Sequence, residues 1–195
     1  MIFTRFKLLL LLSFCIFNSP FVKADHHEKI KILYMGGRDH DWRGYYESIV
    51  PQFKKQGDFD LVFSNKLDDL KAENIKKYDV VLFFGSGGNF TDKSQEIGLE
   101  NYLKNGGGIV GVHATDAFKK SDAYWKIFGG QFIGHGGGTF KIVFTDKSHP
   151  ITQGMESFEI SDESYRDKMH PESKDKLHHL GRIDRGKENH SMIWV

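Results

Sequence analysis

Cysteine and proline are both scarce in this chain of 195 residues, which has one cysteine and four prolines. Because the single cysteine, Cys15, falls in a segment that we expect to be cleaved, the mature protein would have no disulfide, thiolate metal site or cysteine nucleophile. The few prolines form no Pro/Ser-rich linker, and the sequence contains no internal repeat. We therefore expect residues 25–195 to form one compact domain.

Long hydrophobic runs are missing as well. The apolar run at the N-terminus, Leu8 to Phe17, is shorter than the roughly 20 residues that a membrane-spanning helix needs. Arg5 and Lys7 precede it, and Val22-Lys23-Ala24 ends in small residues of the kind that a signal peptidase recognises. Residues 1–24 are therefore predicted to be a secretory signal peptide, and the protein to be periplasmic or secreted, without a membrane anchor.

The sequence also lacks a strong charge of either sign. The whole chain has a formal net charge of +1, and without Arg5, Lys7 and Lys23 it has 24 basic and 26 acidic residues, a charge near −2. Such a balance gives no indication of binding to nucleic acid or to an anionic membrane surface. The oligomeric state stays open at this point.

Short apolar segments alternate with helical patterns between residues 30 and 128. The predicted strands are Ile30–Met35, Phe59–Phe63, Asp79–Phe84 and the apolar part of Gly106–Val112, and helical patterns cover Tyr46–Phe53, Asp92–Leu103 and Asp122–Phe128. This alternation predicts an α/β fold, doubly wound around a mostly parallel sheet with helices on both faces.

The pattern changes after residue 128. Gly129 to Gly138 is so rich in glycine that we expect a loop, and Ser161 to Tyr165 is predicted to be a polar turn. Thr139–Phe144, Phe158–Ile160, His178–Ile183 and Met192–Val195 are predicted strands. Since the sequence stops inside a strand-like run, we expect a truncation at the C-terminus.

Three of the ten histidines lie in glycine-flanked loops: His40, His113 and His135. His113 follows a predicted buried strand, and ligands of open α/β sheets bind at the carboxyl ends of the strands. Imidazole is a common ligand of zinc and similar metals and is well suited to proton transfer near neutral pH. We therefore predict His113 as a catalytic or metal-ligating residue, with His40 and His135 as further metal ligands, against the alternative of ordinary loop histidines.

Acidic residues near these loops are candidates to complete such a site. Asp162 and Glu163 form a pair that could act as acid or base or bind a metal, although a cap of a turn or helix is an equally good interpretation. Asp116, three residues after His113, could orient that imidazole or contact substrate, or could cap the following helix.

Aromatic residues and glycines suggest the type of ligand. Trp42 and Trp125 lie near the candidate loops, and an exposed aromatic face can stack on a sugar ring, although such residues more often belong to the core. The glycine clusters match neither Gly-x-x-x-x-Gly-Lys-Ser/Thr nor Gly-x-Gly-x-x-Gly after the first strand. We therefore expect no nucleotide cofactor.

An ordered set of motifs resembles the ThuA-like, or trehalose-utilisation, family. They are Gly36-Gly-Arg-Asp-His40, Gly106-Gly-Gly-Ile-Val-Gly-Val-His-Ala-Thr115, Trp125 with Gly129-Gly-Gln-Phe132 and His135, His149-Pro-Ile-Thr152, and Asp162-Glu-x-Tyr165. The resemblance implies a flavodoxin-like fold similar to that of class I glutamine amidotransferases, without their cysteine-dependent chemistry because His113 lies at the matching place. It also implies carbohydrate metabolism, with keto-sugars as a substrate class, and a further C-terminal strand that this chain lacks.

We expect an isomerase, lyase or hydrolase that acts on a sugar, keto-sugar or glycoside through histidines and a carboxylate, around a divalent metal such as zinc or manganese. The main alternative is a carbohydrate-binding or interaction module without catalysis at the same edge of the sheet. A third is a scaffold in which the glycine loops only make tight turns.

Overall fold

The structure is a computed structural model, and it describes residues 28–37, 40–85, 88–118 and 120–195. The predicted signal peptide, residues 1–24, lies outside this part of the chain, as do Cys15, His26 and His27. No helix within the described part is long and apolar enough to cross a lipid bilayer.

The first half of the chain forms a four-stranded parallel sheet in the order β2-β1-β3-β4. Each of these strands was predicted from its apolar run. Successive side chains of β1 alternate between the two faces, and Leu33 and Tyr34 are both fully buried because helices cover each face. The strand bounds are β1 Ile30–Gly36, β2 Phe59–Ser64, β3 Val80–Phe84 and β4 Gly108–Val112.

Helices pack on both faces of this sheet, as expected for a doubly wound domain. Helix α1 covers the face that contains Tyr34 and Phe84, whereas α3 and α4 cover the face that contains Leu33 and Phe83. The helix bounds are α1 Trp42–Gln56, α2 Ala72–Ile75, α3 Lys93–Lys104 and α4 Asp122–Phe128, with single 3₁₀ turns at Leu67–Leu70 and His113–Ala117.

The second half of the chain departs from the expected single sheet. It forms a separate four-stranded antiparallel sheet in the order β6-β5-β7-β8. The fold is therefore α/β with two sheets rather than one mostly parallel sheet. The strand bounds are β5 Gly130–Phe144, β6 Phe158–Met169, β7 His179–Asp184 and β8 Ser191–Trp194.

Two sequence-based predictions are wrong in this region. The expected loop at 129–138 belongs mostly to β5, and the expected polar turn at 161–165 lies inside β6. These segments pair with each other, so that His135 lies opposite Tyr165 and Gly137 opposite Glu163. The physical reason is that ladder hydrogen bonds join backbone groups, so a long antiparallel pair can form from glycine-rich and polar sequences without an apolar alternation.

Candidate functional site

His113 lies at a sharp turn from β4 into the following 3₁₀ turn, with a positive φ of 57°. The Thr115 hydroxyl group stabilises this turn. Its oxygen accepts a hydrogen bond from the N–H of Val112 at 3.0 Å. Its single proton can be donated to the carbonyl oxygen of Val112, at 2.7 Å, or to that of Phe83, at 3.0 Å. A side chain at Gly111 would collide with the Phe128 ring, so the approach to the turn requires glycine. Local sequence thus directs His113 out of the end of the sheet.

His40 reaches the same end of the sheet from the loop after β1, and it also has a positive φ, 67°. The chain that follows is held by Asp41, whose carboxylate caps α1 by accepting the N–H of Gly44 at 2.9 Å. The Tyr34 hydroxyl donates to the carbonyl oxygen of Trp42 at 2.6 Å. The expected convergence of the loops after β1 and β4 is therefore observed.

Strand β6 supplies the carboxylate and a phenol to this site. Glu163 Oε2 lies 3.9 Å from His113 Nε2, and Glu163 Oε1 lies 3.6 Å from His135 Nε2. Tyr165, two residues along the strand and hence on the same face, has its hydroxyl 3.3 Å from His40 Nε2. Its ring packs edge-on against that of His113, with 4.8 Å between the ring centres.

His40, His113 and Glu163 form the tightest group of potential metal ligands in the described part of the chain. One ligand atom from each lies within 4.8 Å of the others. His113 Nδ1 is buried and has no hydrogen-bond partner among the described residues. Two imidazoles and a carboxylate are a donor set that suits zinc, manganese or iron, with coordination positions left for water or substrate.

Burial is the largest influence on the pKa values of two residues in this site, His113 and Tyr165. It lowers the pKa of His113, and the neighbouring His40 lowers that pKa further, while Asp162 and Glu163 oppose the change. Burial likewise raises the pKa of Tyr165, with Glu163 adding to the effect. His113 is therefore favoured as neutral imidazole, the form that binds metals or accepts a proton, and Tyr165 as a protonated phenol.

The other predicted acidic residues lie around the cluster. Asp162 is exposed and its carboxylate accepts the N–H of Glu163 at 2.8 Å. Neither residue caps a helix, because both lie inside β6. Asp116 is only 9% exposed, and its charge contributes to the raised pKa of Tyr165. A role in the surroundings of the histidines thus fits Asp116 better than direct contact with substrate.

The two predicted sugar-stacking residues have different surroundings. Trp42 is half-buried, stacks on Phe63 with 5.2 Å between ring centres, and lines a cavity at the end of the sheet. The Trp125 indole N–H donates to the carbonyl oxygen of Lys168 at 3.0 Å, and its ring packs edge-on against His170. These contacts give Trp125 a role in joining α4 to β6.

Sequence reasoning missed the contributions of Thr115 and Tyr165. Tyr165 was named only as the end of the predicted polar turn and of the Asp162-Glu-x-Tyr165 motif, without a role of its own. A strand interpretation would have placed Glu163 and Tyr165 on one face, at a spacing of two residues. Thr115 gives no comparable signal, because its hydroxyl acts on backbone groups of β3 and β4.

The parallel sheet, its glycine-rich strand ends and the turn at His113 define an α/β protein with the fold of class I glutamine amidotransferase domains. A glutamine amidotransferase from Thermotoga maritima has a TM-score of 0.54 at 11% sequence identity, with 87% of this chain and 72% of that chain covered. The sequence model of the ThuA family, described as trehalose utilisation, matches residues 24–195, and the chain belongs to this family.

Solved structures of ThuA-like proteins share this fold. One from Bacteroides uniformis has a TM-score of 0.68 at 21% identity, covering 87% of this chain and 76% of that one. Another from Parabacteroides merdae has a TM-score of 0.66 at 19% identity, covering 80% and 68%. No curated protein sequence matches the chain at a significant level.

Proposed function

We propose that this protein is an exported carbohydrate-active enzyme whose active site is the cluster of His40, His113 and Glu163 with a divalent metal. The observation that carries the proposal is the approach of one ligand atom from each of these residues to within 4.8 Å. Membership of a family described by trehalose utilisation supports a sugar as the substrate.

A carbonyl-containing sugar fits this donor set best. When bound, zinc or manganese would act as a Lewis acid on the carbonyl oxygen of a keto-sugar. His135 lies outside the group of three ligands, with its Nε2 3.6 Å from Glu163 Oε1, and we assign to it the role of accepting a proton from the carbon next to the carbonyl. Tyr165, with its raised pKa, can donate a hydrogen bond to a sugar oxygen at neutral pH.

The three expected reaction classes, isomerase, lyase and hydrolase, can proceed through the same intermediate. Removal of a proton next to a carbonyl gives an enolate. An isomerisation results if the proton returns to the former carbonyl carbon while the adjacent hydroxyl group gives its proton to the former carbonyl oxygen, and expulsion of a substituent on the β-carbon is a lyase reaction. Addition of water after that expulsion has the net outcome of hydrolysis, so glycosides of keto-sugars are the substrates to test first.

The direct test is metal analysis of the purified protein beside His113→Ala, with His178→Ala as the control because His178 is a half-exposed histidine paired with Asp146. We expect stoichiometric metal, and turnover of a keto-glycoside, in the wild type and the control but not in His113→Ala. Equal metal and equal turnover in all three proteins would overturn the proposal. Saturable sugar binding without product, kept in His113→Ala but lost in Trp42→Ala, would instead support a binding module.

A further inference from the structure

A cavity of about 670 Å³ opens beside the histidine cluster, at the carboxyl ends of β1, β2 and β3. Pockets that hold small ligands range over about 300–1,000 Å³, so this cavity has the size of a ligand site. Gly36, at the end of β1, and Gly85, after β3, both line it. It therefore lies at the end of the parallel sheet from which His40 and His113 also extend, and its lining includes none of the three metal-ligand residues.

The order of the strands explains why a cavity forms at this place. From β1 the chain moves outward to β2 on one side, whereas β3 and β4 lie on the other side. The helices that follow β1 and β3, α1 and α3, cover opposite faces of the sheet, so a crevice remains between the ends of these two strands. In open α/β sheets this change of direction is the usual position of a bound ligand.

The cavity wall combines apolar residues with polar ones, both uncharged and charged. Met35 and Phe83 form its apolar part, and Trp42 adds an aromatic ring. The amides of Asn65 and Asn89 also line it. Sugar rings present both apolar C–H faces and hydroxyl groups, and they bind where aromatic side chains and amides are combined.

Asp68 provides a hydrogen-bond acceptor held in a defined position on the same wall. Its Oδ1 accepts a hydrogen bond from Gln95 Nε2 at 2.8 Å and lies 3.1 Å from Lys71 Nζ. Gln95 is itself only 2% exposed and joins this region to the start of α3. A carboxylate oriented in this way can accept a hydrogen bond from a sugar hydroxyl.

The loops that shape the cavity also carry the histidine cluster. Gly37 and Trp42, which line the cavity, flank His40 in the sequence. Phe118 lines it directly after the 3₁₀ turn that begins at His113. A ligand in the cavity would therefore lie close to a substrate group held at the cluster.

We propose that this cavity binds the second, non-reacting ring of a neutral disaccharide or glycoside while the first ring lies at the histidine cluster. The choice of a sugar rests on the function proposed above. Lys66 also lines the cavity, so a phosphate-bearing ligand is the rival that the experiment must separate.

The test is calorimetric binding of trehalose, as a neutral disaccharide, to the intact protein. Asn65→Trp places a bulky side chain at the cavity wall, and Asp68→Asn removes the charged acceptor with little change of shape. Gln52→Trp, at an exposed position of α1, is the matched control. We expect the Kd of trehalose to rise about tenfold or more in both cavity variants and to stay unchanged in the control. Thermal melting checks that each variant is folded.

The inference would be overturned if the wild type did not bind trehalose, or if all variants bound it with equal affinity. It would also be overturned if inorganic phosphate competed with trehalose and the Lys66→Ala protein no longer bound phosphate. Glu163→Gln separates the two proposals, because it removes a cluster ligand and leaves the cavity wall intact. Trehalose binding that persists in Glu163→Gln but weakens in Asn65→Trp, with no turnover of keto-glycosides by the wild type, would support the cavity site and contradict the catalytic proposal. Turnover that is lost in His113→Ala but unchanged in Asn65→Trp would support the catalytic proposal and contradict the cavity site.

Discussion

The imidazole rings of His40 and His113 lie 4.4 Å apart between their centres, and both residues adopt a positive φ, 67° and 57°. Residues other than glycine rarely adopt this conformation, because the Cβ atom approaches the backbone carbonyl oxygen. Two strained histidines in contact at the end of a sheet are typical of a site where position matters more than local stability.

The strain at His113 can be measured by comparing His113→Gly with His113→Ala. Both variants lose the imidazole, so the difference between them reports the backbone. We expect His113→Gly to be more stable than His113→Ala by about 1 kcal/mol in chemical denaturation, because only glycine adopts a positive φ without cost. The control is the same pair of substitutions at Asn101, an exposed position of α3. There we expect Asn101→Ala to be more stable than Asn101→Gly by about the same amount, because helices favour alanine over glycine. Equal stability of the two His113 variants would contradict the strain.

Glu163 and Asp162 form a matched pair for testing the metal site. Glu163→Gln removes the charge of a proposed ligand, whereas Asp162→Asn makes the same change at the neighbouring exposed residue. We expect the zinc affinity of Glu163→Gln, measured by competition with a chelating dye, to fall about 100-fold. Loss of a residue that only hydrogen-bonds to a metal ligand already lowers metal affinity about 10-fold to 100-fold. Asp162→Asn should bind zinc nearly as the wild type does. Equal losses of zinc affinity in the two variants would indicate that zinc binding depends on the overall negative charge of β6 and not on Glu163 as a ligand.

The lowered pKa of His113 predicts the pH dependence of the metal-free protein. The groups that act on it are His40 and His135, which lower this pKa, and Asp162 and Glu163, which raise it, besides the dominant effect of burial. We expect NMR titration to give His113 a pKa below its ordinary value of 6.5. A titration at or above 6.5 would contradict the burial effect.

The same shift has a consequence for stability, with a sign that follows from linkage. Between the folded pKa and 6.5 the unfolded chain binds more protons at His113 than the folded chain does. The contribution of His113 to the free energy of unfolding should therefore decrease as the pH falls through 6.5, until the folded pKa is passed. His113→Gln should lack this component when its denaturation is compared with that of the wild type at a series of pH values.

Thr115 offers a test of how the turn at His113 is maintained. Thr115→Val keeps the shape of this buried side chain but leaves the partly buried N–H of Val112 without the hydroxyl acceptor, and such a loss costs about 1–3 kcal/mol. We expect Thr115→Val to lower both the stability and the zinc affinity, because the position of His113 depends on this turn. Thr115→Ser, which keeps the hydroxyl group, should retain most of the affinity. A Thr115→Val protein that binds zinc as tightly as the wild type would show that the turn is held by other contacts.

Much of the parallel sheet could be predicted from the sequence. The apolar runs of β1 and β3 are short, bounded by glycine and rich in residues that favour strands, and helix α4 was predicted with the observed bounds. The antiparallel sheet could not be predicted in the same way, because Gly130 to Gly138 has the composition of a loop. Its strand conformation depends on pairing with β6, from Gly138 with Asp162 to Gly130 with Met169, and these partners lie 24 to 39 residues further along the chain.

The sequence by itself determined the alternation of strands and helices and the presence of His40 and His113 at strand ends, because hydrophobic periodicity and turn residues are local properties. Tertiary structure alone decided that Glu163 rather than Asp162 joins these histidines. That choice depends on the register of β5 against β6, since a shift of one residue would turn the other carboxylate toward the site. Register is a property of the paired strands, and neither strand carries it alone.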